Sequence, residues 1–267
     1  MGGELYGATG TYLATPTFLS NNREVAFRPR DPEPHSEGEG MIRVFIGYDA
    51  REAIAFSVLS HSIAVRSTAP VTIAPLMLSQ LSSVLWRERH PLQSTDFSFS
   101  RFLVPFLSGY QGWSIFCDCD MLMLDDVAKL WALRDERFAV QVVKHTHETP
   151  VGTKFLNQAQ TPYEKKNWSS VMLFNNALCS ALSADYVNTA TGLELHQFKW
   201  LADSALIGSL PPRWNHLVDY YPALPLDQIS LLHYTEGGPY FDEYKTCGFA
   251  GQWFAERDRM ISHPSHS

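Results

Sequence analysis

Two carboxylates one residue apart close an apolar run: Trp113-Ser-Ile-Phe-Cys is followed directly by Asp118-Cys119-Asp120. In extended backbone, residues i and i+2 point to the same side, so Asp118 and Asp120 can face one ion while Cys117 and Cys119 face the opposite layer. Ligands of open α/β sheets sit outside the carboxyl ends of strands, which is where these aspartates fall. A hard cation such as Mn²⁺ or Mg²⁺ takes one or two carboxylates and fills its shell with water and substrate phosphate oxygens. The pair could therefore carry a phosphorylated ligand through a divalent cation. The plain alternative for so common a tripeptide is a strand-end loop with solvated charges.

Other residues offer chemistry beside a bland role. Asp49, after Gly47-Tyr48, precedes a helical pattern and reads as a cap. Arg101 falls near a helix start, an unfavourable end for a cation, and so calls for an anionic partner. His233 ends a strand and leads into Thr235-Glu236-Gly237-Gly238-Pro239. Asn175 and Asn176 close another apolar run, where side-chain amides also make turns. Asp203 follows the aromatic patch Phe198-Lys-Trp200 and also reads as a cap. His145-Thr-His147 has strand-like metal spacing but the composition of a solvated loop.

The elements that must position these groups follow from hydrophobic period. Ile42–Ile46 reads as a strand, 51–64 as a helix with Ala55, Leu59 and Ile63 on one face, and Val71–Leu76 as a second strand. Arg101–Leu107 reads as a helix, Trp113–Cys117 as a strand and 127–133 as a helix. Strand patterns return at 138–143, 170–174 and 229–234, with a helix around 184–191. Alternation of this kind predicts an α/β domain with a mainly parallel sheet covered by helices. Residues 1–40, rich in Gly, Pro, Ser, Asn and charge without a sustained period, predict a disordered extension before a single domain over 41–267.

Composition narrows the function. A net charge of -7 gives no general attraction for nucleic acid or anionic lipid. An acidic chain that binds a diphosphate needs local positive charge, and a metal ion supplies it. The four cysteines lack the paired spacing of a zinc site and read as reduced thiols, which fits the cytoplasm, with peripheral membrane attachment left open. No apolar run approaches the roughly 18 residues of a membrane span.

The Asp118-Cys-Asp120 segment resembles the Asp-x-Asp motif of GT-A-fold glycosyltransferases, particularly glycosyltransferase family 8 and its bacterial relatives. Arg101-Phe-Leu-Val-Pro-Phe-Leu107, Ser169-Ser-Val-Met-Leu-Phe-Asn-Asn176, Asp203 with Leu210-Pro-Pro-Arg-Trp-Asn215, and His233 to Phe241 match family segments in the same order. The resemblance spans Ile42 to about Tyr244 and implies a single GT-A domain with a mixed, mainly parallel central sheet. It implies that Tyr48 and Asp49 meet the base and ribose, that Arg101 pairs with the metal site or the donor, and that His233 completes the metal shell. Gly237 and Gly238 would let backbone approach the diphosphate, while Asn175, Asn176 and Asp203 would contact the donor sugar and acceptor. The implied activity is transfer of a hexose-like unit, with retention, from a nucleotide-sugar donor, uridine diphosphate being the usual carrier. The acceptor would be a carbohydrate, a lipid-linked group or a small molecule. The chain departs from the family where a lysine precedes the Pro-aromatic pair: here Gly238 precedes Pro239-Tyr240. Lys154 and Lys245 are ordinary solvated lysines on this reading. Two rivals remain, a sugar nucleotidyltransferase, which lacks its Gly-rich basic loop here, and a binding module without turnover.

Overall fold

A computed structural model describes residues 40–89, 93–146 and 165–262, together with the backbone of two short strands at 153–154 and 158–159. The extension predicted over 1–40, Gly40 apart, lies outside the described residues, as does His147.

The first strand, β1 (Ile42–Gly47), pairs in parallel with β2 (Val71–Leu76) on one side and β3 (Trp113–Cys117) on the other. Between β1 and β2, α1 (Ala53–Arg66) buries Ala55, Val58, Leu59, Ser62 and Ile63, the i, i+3, i+4, i+7, i+8 stripe of a core-facing helix. Pro75 is tolerated in β2 because β2 is an edge strand, where a missing N–H breaks no ladder. The predicted helix at 101–107 is a 3₁₀ turn, Ser100–Leu103, running into the short α2 (Val104–Leu107).

Beyond β3 the chain leaves the main sheet at once. β4 (Met121–Met123) is followed by α3 (Val127–Trp131), whose N-terminus Asp126 caps by accepting from Ala128 N. β5 (Val140–Val142) returns to the main sheet, and β6 (Thr153–Lys154) and β7 (Gln158–Ala159) form an antiparallel pair. Next come β8 (Val171–Asn175), α4 (Ala184–Thr189) and α5 (Gly192–His196), the last opened by a Thr191–Glu194 capping box. The chain then forms β9 (Ile207–Ser209), β10 (His216–Leu217), β11 (Leu231–His233) and α6 (Ala250–Ile261).

The main sheet has six strands in the order β2-β1-β3-β8-β5-β9, and β8 alone runs against the rest. The expected mixed, mainly parallel sheet is therefore present, with β8 antiparallel to both neighbours. β3, β5 and β8 are buried along their whole length, as strands covered on both faces must be. A second sheet, β10-β11-β4, stands beside it.

Candidate active site

The junction between the two sheets makes the site. β3 ends at Cys117, and the next strand begins at Met121, so Asp118 to Asp120 form the step from one sheet to the other. β4 pairs antiparallel with β11 in a register that sets His233 opposite Met121, and Tyr234 N donates to Asp120 O at 2.8 Å. The ladder thus delivers His233 beside Asp120 although 113 positions separate them in the chain. Suitable ligand atoms of Asp118, Asp120 and His233 all lie within 4.8 Å of one another.

Each member of this cluster is held by another residue. Arg101 Nη1 stands 2.8 Å from Asp118 Oδ1 and donates to Ser169 O at 2.9 Å. Its guanidinium lies about equally far from the Phe97 and Phe116 rings, at 5.2 and 5.1 Å, so the misfit of a cation near a helix start is resolved by an anionic and aromatic pocket. Imidazole Nδ1 of His233 is 2.9 Å from Asn215 Oδ1, an acceptor, which assigns the proton to Nδ1 and leaves the Nε2 lone pair facing Asp120 at 3.4 Å. Asn215 in turn donates to Ser170 Oγ at 2.8 Å.

The electrostatics are those of a site short of positive charge. Burial pushes the Asp118 carboxyl up to about 7 despite Arg101, with Asp120 adding to the rise. Burial lowers His233, but Asp120 and Asp118 outweigh it and its pKa is raised. Asp118 Oδ1 is held by Arg101 alone, and the buried Asp120 Oδ1 meets no donor of hydrogen-bond geometry among the described residues. Two clustered carboxylates, one with an orphaned buried oxygen, beside an oriented imidazole fit a divalent cation, whose oxygen and nitrogen ligand preferences match them.

A cavity of about 690 Å³ opens onto this cluster, lined also by Glu52, Ser169, Ser170, Tyr220, Thr235 and Glu236. Sequence reasoning missed Glu52. It lies one turn past Asp49, is buried, and accepts from Tyr240 Oη at 2.6 Å. Burial first and Asp120 second push its carboxyl up to about 8. A glutamate at the mouth of the first βα turn was the available signal.

Several expected residues take other places. Asp49 does not line the cavity: its carboxylate caps the turn, accepting from Arg51 N, the Arg51 side chain and Asp96 N. Tyr48 packs edge-on against Phe56, with ring centroids 5.5 Å apart, instead of facing the cavity. Asn175 lies opposite Trp113, at the end of β3 remote from Asp118, because β8 is antiparallel. There Asn175 donates to Glu136 at 2.9 Å, and buried Asn176 donates to Ser114 Oγ at 3.0 Å. The start of β8 reaches the site instead, through Ser169 and Ser170. Asp203 is exposed and caps a 3₁₀ turn by accepting from Ala205 N at 2.8 Å. At Gly237, with φ +139°, an added Cβ would fall 2.4 Å from the Tyr244 ring, and at Gly238 2.1 Å from the Tyr240 ring. These glycines make room for tyrosines, and neither lines the cavity.

The architecture is the GT-A fold, shared with several solved glycosyltransferases. The galactosyltransferase LgtC, solved with donor and acceptor sugar analogs, superposes with a TM-score of 0.54 at 11% identity, over 84% of this chain and 98% of that one. GlyE of Streptococcus pneumoniae TIGR4 gives 0.54 at 15% identity over 82% of this chain and 60% of that one. The bifunctional glycosyltransferase WbbM gives 0.53 at 16% identity over 87% of this chain, which spans about half, 51%, of WbbM. No protein-family model matches. The chain is 46% identical over 223 residues to protein CDI of Arabidopsis thaliana, a match covering 81% of this chain and 86% of that protein, and it belongs to the CDI family.

Proposed function

We propose that this chain is a metal-dependent glycosyltransferase that moves a sugar, with retention, from a nucleoside diphosphate to an acceptor hydroxyl. Uridine diphosphate is the carrier on this reading. The carrying observation is the convergence of Asp118, Asp120 and His233 on a cavity large enough for a nucleotide sugar. Those three residues would hold Mn²⁺ or Mg²⁺. A bound cation supplies Lewis-acid neutralisation of the charge that collects on a departing diphosphate, worth several kcal/mol.

The chain's own residues do the rest. Arg101 fixes Asp118 from behind, and Asn215 holds the His233 ring with its Nε2 lone pair toward Asp120. Glu236 brings a carboxylate to the cavity wall, where it can orient or deprotonate an acceptor hydroxyl. No helix of the described residues is long and apolar enough to cross a membrane.

The test is a thermal shift with uridine diphosphate, with and without Mn²⁺, on the wild type and an Asp118→Ala/Asp120→Ala variant, with guanosine diphosphate as competitor. At a hundredfold excess over Kd, binding stabilises by about 2.7 kcal/mol, a shift on the order of 5 °C. That shift should need Mn²⁺ and vanish in the variant. A folded wild type that shifts with neither nucleotide removes the transferase reading and leaves a binding module.

A further inference from the structure

We propose that the end of the cavity remote from the metal cluster is a subsite for an anionic group, a carboxylate or phosphate carried by a sugar substrate, and that Arg87 reads it. This rests on the transferase reading for the identity of the substrate, though not for the existence of the subsite.

Arg87 shares the cavity with the cation-binding residues but pairs with none of them. From Asp118 the contacts run to Arg101, to Ser169, and by a 2.8 Å hydrogen bond to His196 Nδ1. The His196 ring stands 6.4 Å from that of Phe99, and the Arg87 guanidinium lies over Phe99 at 3.6 Å from its centroid. Arg101, Ser169, His196 and Phe99 thus stand between Asp118 and Arg87 in this series of contacts, which leaves Arg87 to a part of the substrate other than its diphosphate.

The fold commits buried polar groups to fixing this arginine. Asn188, itself buried, accepts from Trp86 N at 2.8 Å and from Arg87 N at 3.0 Å, while its amide donates to Val84 O and Ala184 O. Arg87 Nη1 donates to Val187 O at 2.6 Å. Among the described residues, Nε and Nη2 meet no acceptor, and no carboxylate pairs with the group. Burial alone lowers its pKa, with no opposing charge to offset it.

A half-buried cation without a counter-ion is costly, and an anionic ligand offsets that cost. The cavity wall is arranged for one. Among the described residues, its carboxylates are Glu52, Asp118, Asp120 and Glu236, whereas the described lining residues from 87 to 101 and from 166 to 196 include none. Ser94, Thr95 and Ser98 add hydroxyls along the Arg87 wall. The planar fork left by Nε and Nη2 matches the paired oxygens of a carboxylate or phosphate, and its stacking on Phe99 fixes the plane.

The anion could belong to the donor sugar or to the acceptor, and calorimetry on the full chain separates the two. The donor arm compares UDP-glucuronate with UDP-glucose in Mn²⁺. The acceptor arm compares glucuronate and glucose 6-phosphate with glucose, once with UDP and Mn²⁺ and once without nucleotide. In one arm the anionic member should bind at least about tenfold more tightly, identifying the source, and Arg87→Gln should bring the pair within about twofold. Arg87→Lys, which keeps the charge and loses the fork, should restore only part of the preference. Wild type without anionic preference in either arm overturns the proposal, as does a preference undiminished in a folded Arg87→Gln protein. A chain that ignores UDP yet holds glucuronate through Arg87 keeps the subsite and loses the transferase reading; Mn²⁺-dependent UDP binding without anionic preference does the reverse.

Discussion

Asn215 decides which nitrogen of His233 faces Asp120, because its Oδ1 accepts from Nδ1. Groups that hydrogen-bond the far nitrogen of a metal-binding histidine commonly set affinity by about 10- to 100-fold, so Asn215→Ala should weaken Mn²⁺ binding by about that factor in a folded protein. Direct Mn²⁺ titration checks this, and unchanged affinity would show that the ring needs no such restraint. Glu52 supports a prediction with a sign. Its folded carboxyl is pushed to about 8 from an ordinary 4.5, so at pH 7 unfolding lets it ionise, which favours the unfolded chain. The penalty is absent below pH 4.5 and grows as pH rises toward 8. Glu52→Gln should therefore raise the Tm of the metal-free protein at pH 7 and leave it little changed at pH 4. A lower Tm at pH 7 would mean that the fold depends on an ionised Glu52.

At the scale of elements, the direction of β8 matters most. An apolar run ending in two asparagines resembles a strand whose carboxyl end meets a ligand, yet Val171 pairs with Cys117 and Asn175 with Trp113. The asparagines consequently work at the far edge of the sheet. Asn176 is fully buried between Gln111 O and Ser114 Oγ. Replacing it with alanine removes the buried donor to Gln111 O and Ser114 Oγ and should cost about 1–3 kcal/mol in chemical denaturation. Asn175→Ala should leave Mn²⁺-dependent UDP binding intact, and loss of that binding with stability preserved would return Asn175 to the site.

The whole molecule closes through its last helix. Glu256, on α6, is 2% exposed and bonds His61 Nδ1 at 2.7 Å and Arg66 Nη2 at 2.6 Å on α1, with Arg259 adding a third partner. Burial opposes its ionisation, but the Arg66 bond and charge, His61 and Arg259 prevail and hold the carboxyl below its ordinary 4.5. A depressed acid stabilises the fold above its unfolded pKa and loses that contribution as pH falls through the folded value. Wild-type stability should therefore drop below about pH 4.5, and Glu256→Gln should be weaker by about 1–3 kcal/mol at neutral pH with less of the acid-dependent loss. Parallel denaturation curves at pH 7 and pH 3.5 measure both, and an identical pH dependence in the variant would assign the acid loss elsewhere.

What the chain's letters determine by themselves is local. Apolar period places β1, β2, β3, β8 and β11, and the stripe Ala55, Leu59, Ile63 marks the buried face of α1, because side-chain direction repeats with backbone geometry. The Asp118-Cys-Asp120 step is legible for the same reason, since alternation in extended backbone sets both carboxylates to one side. Strands of two or three residues such as β4, β9 and β10 carry too little period to read, and the buried side of α6 includes the charged Glu256. Pairing direction and register are set by long-range hydrogen bonds that no local pattern encodes. They turn β8 around, seat His233 beside Asp120 through the β4–β11 ladder, and bring Glu52 and Arg87 to one cavity. Residues with a strong local role, Asp49 and Asp203, satisfied it as caps, whereas those whose role depends on distant partners became visible only when the tertiary structure assembled them.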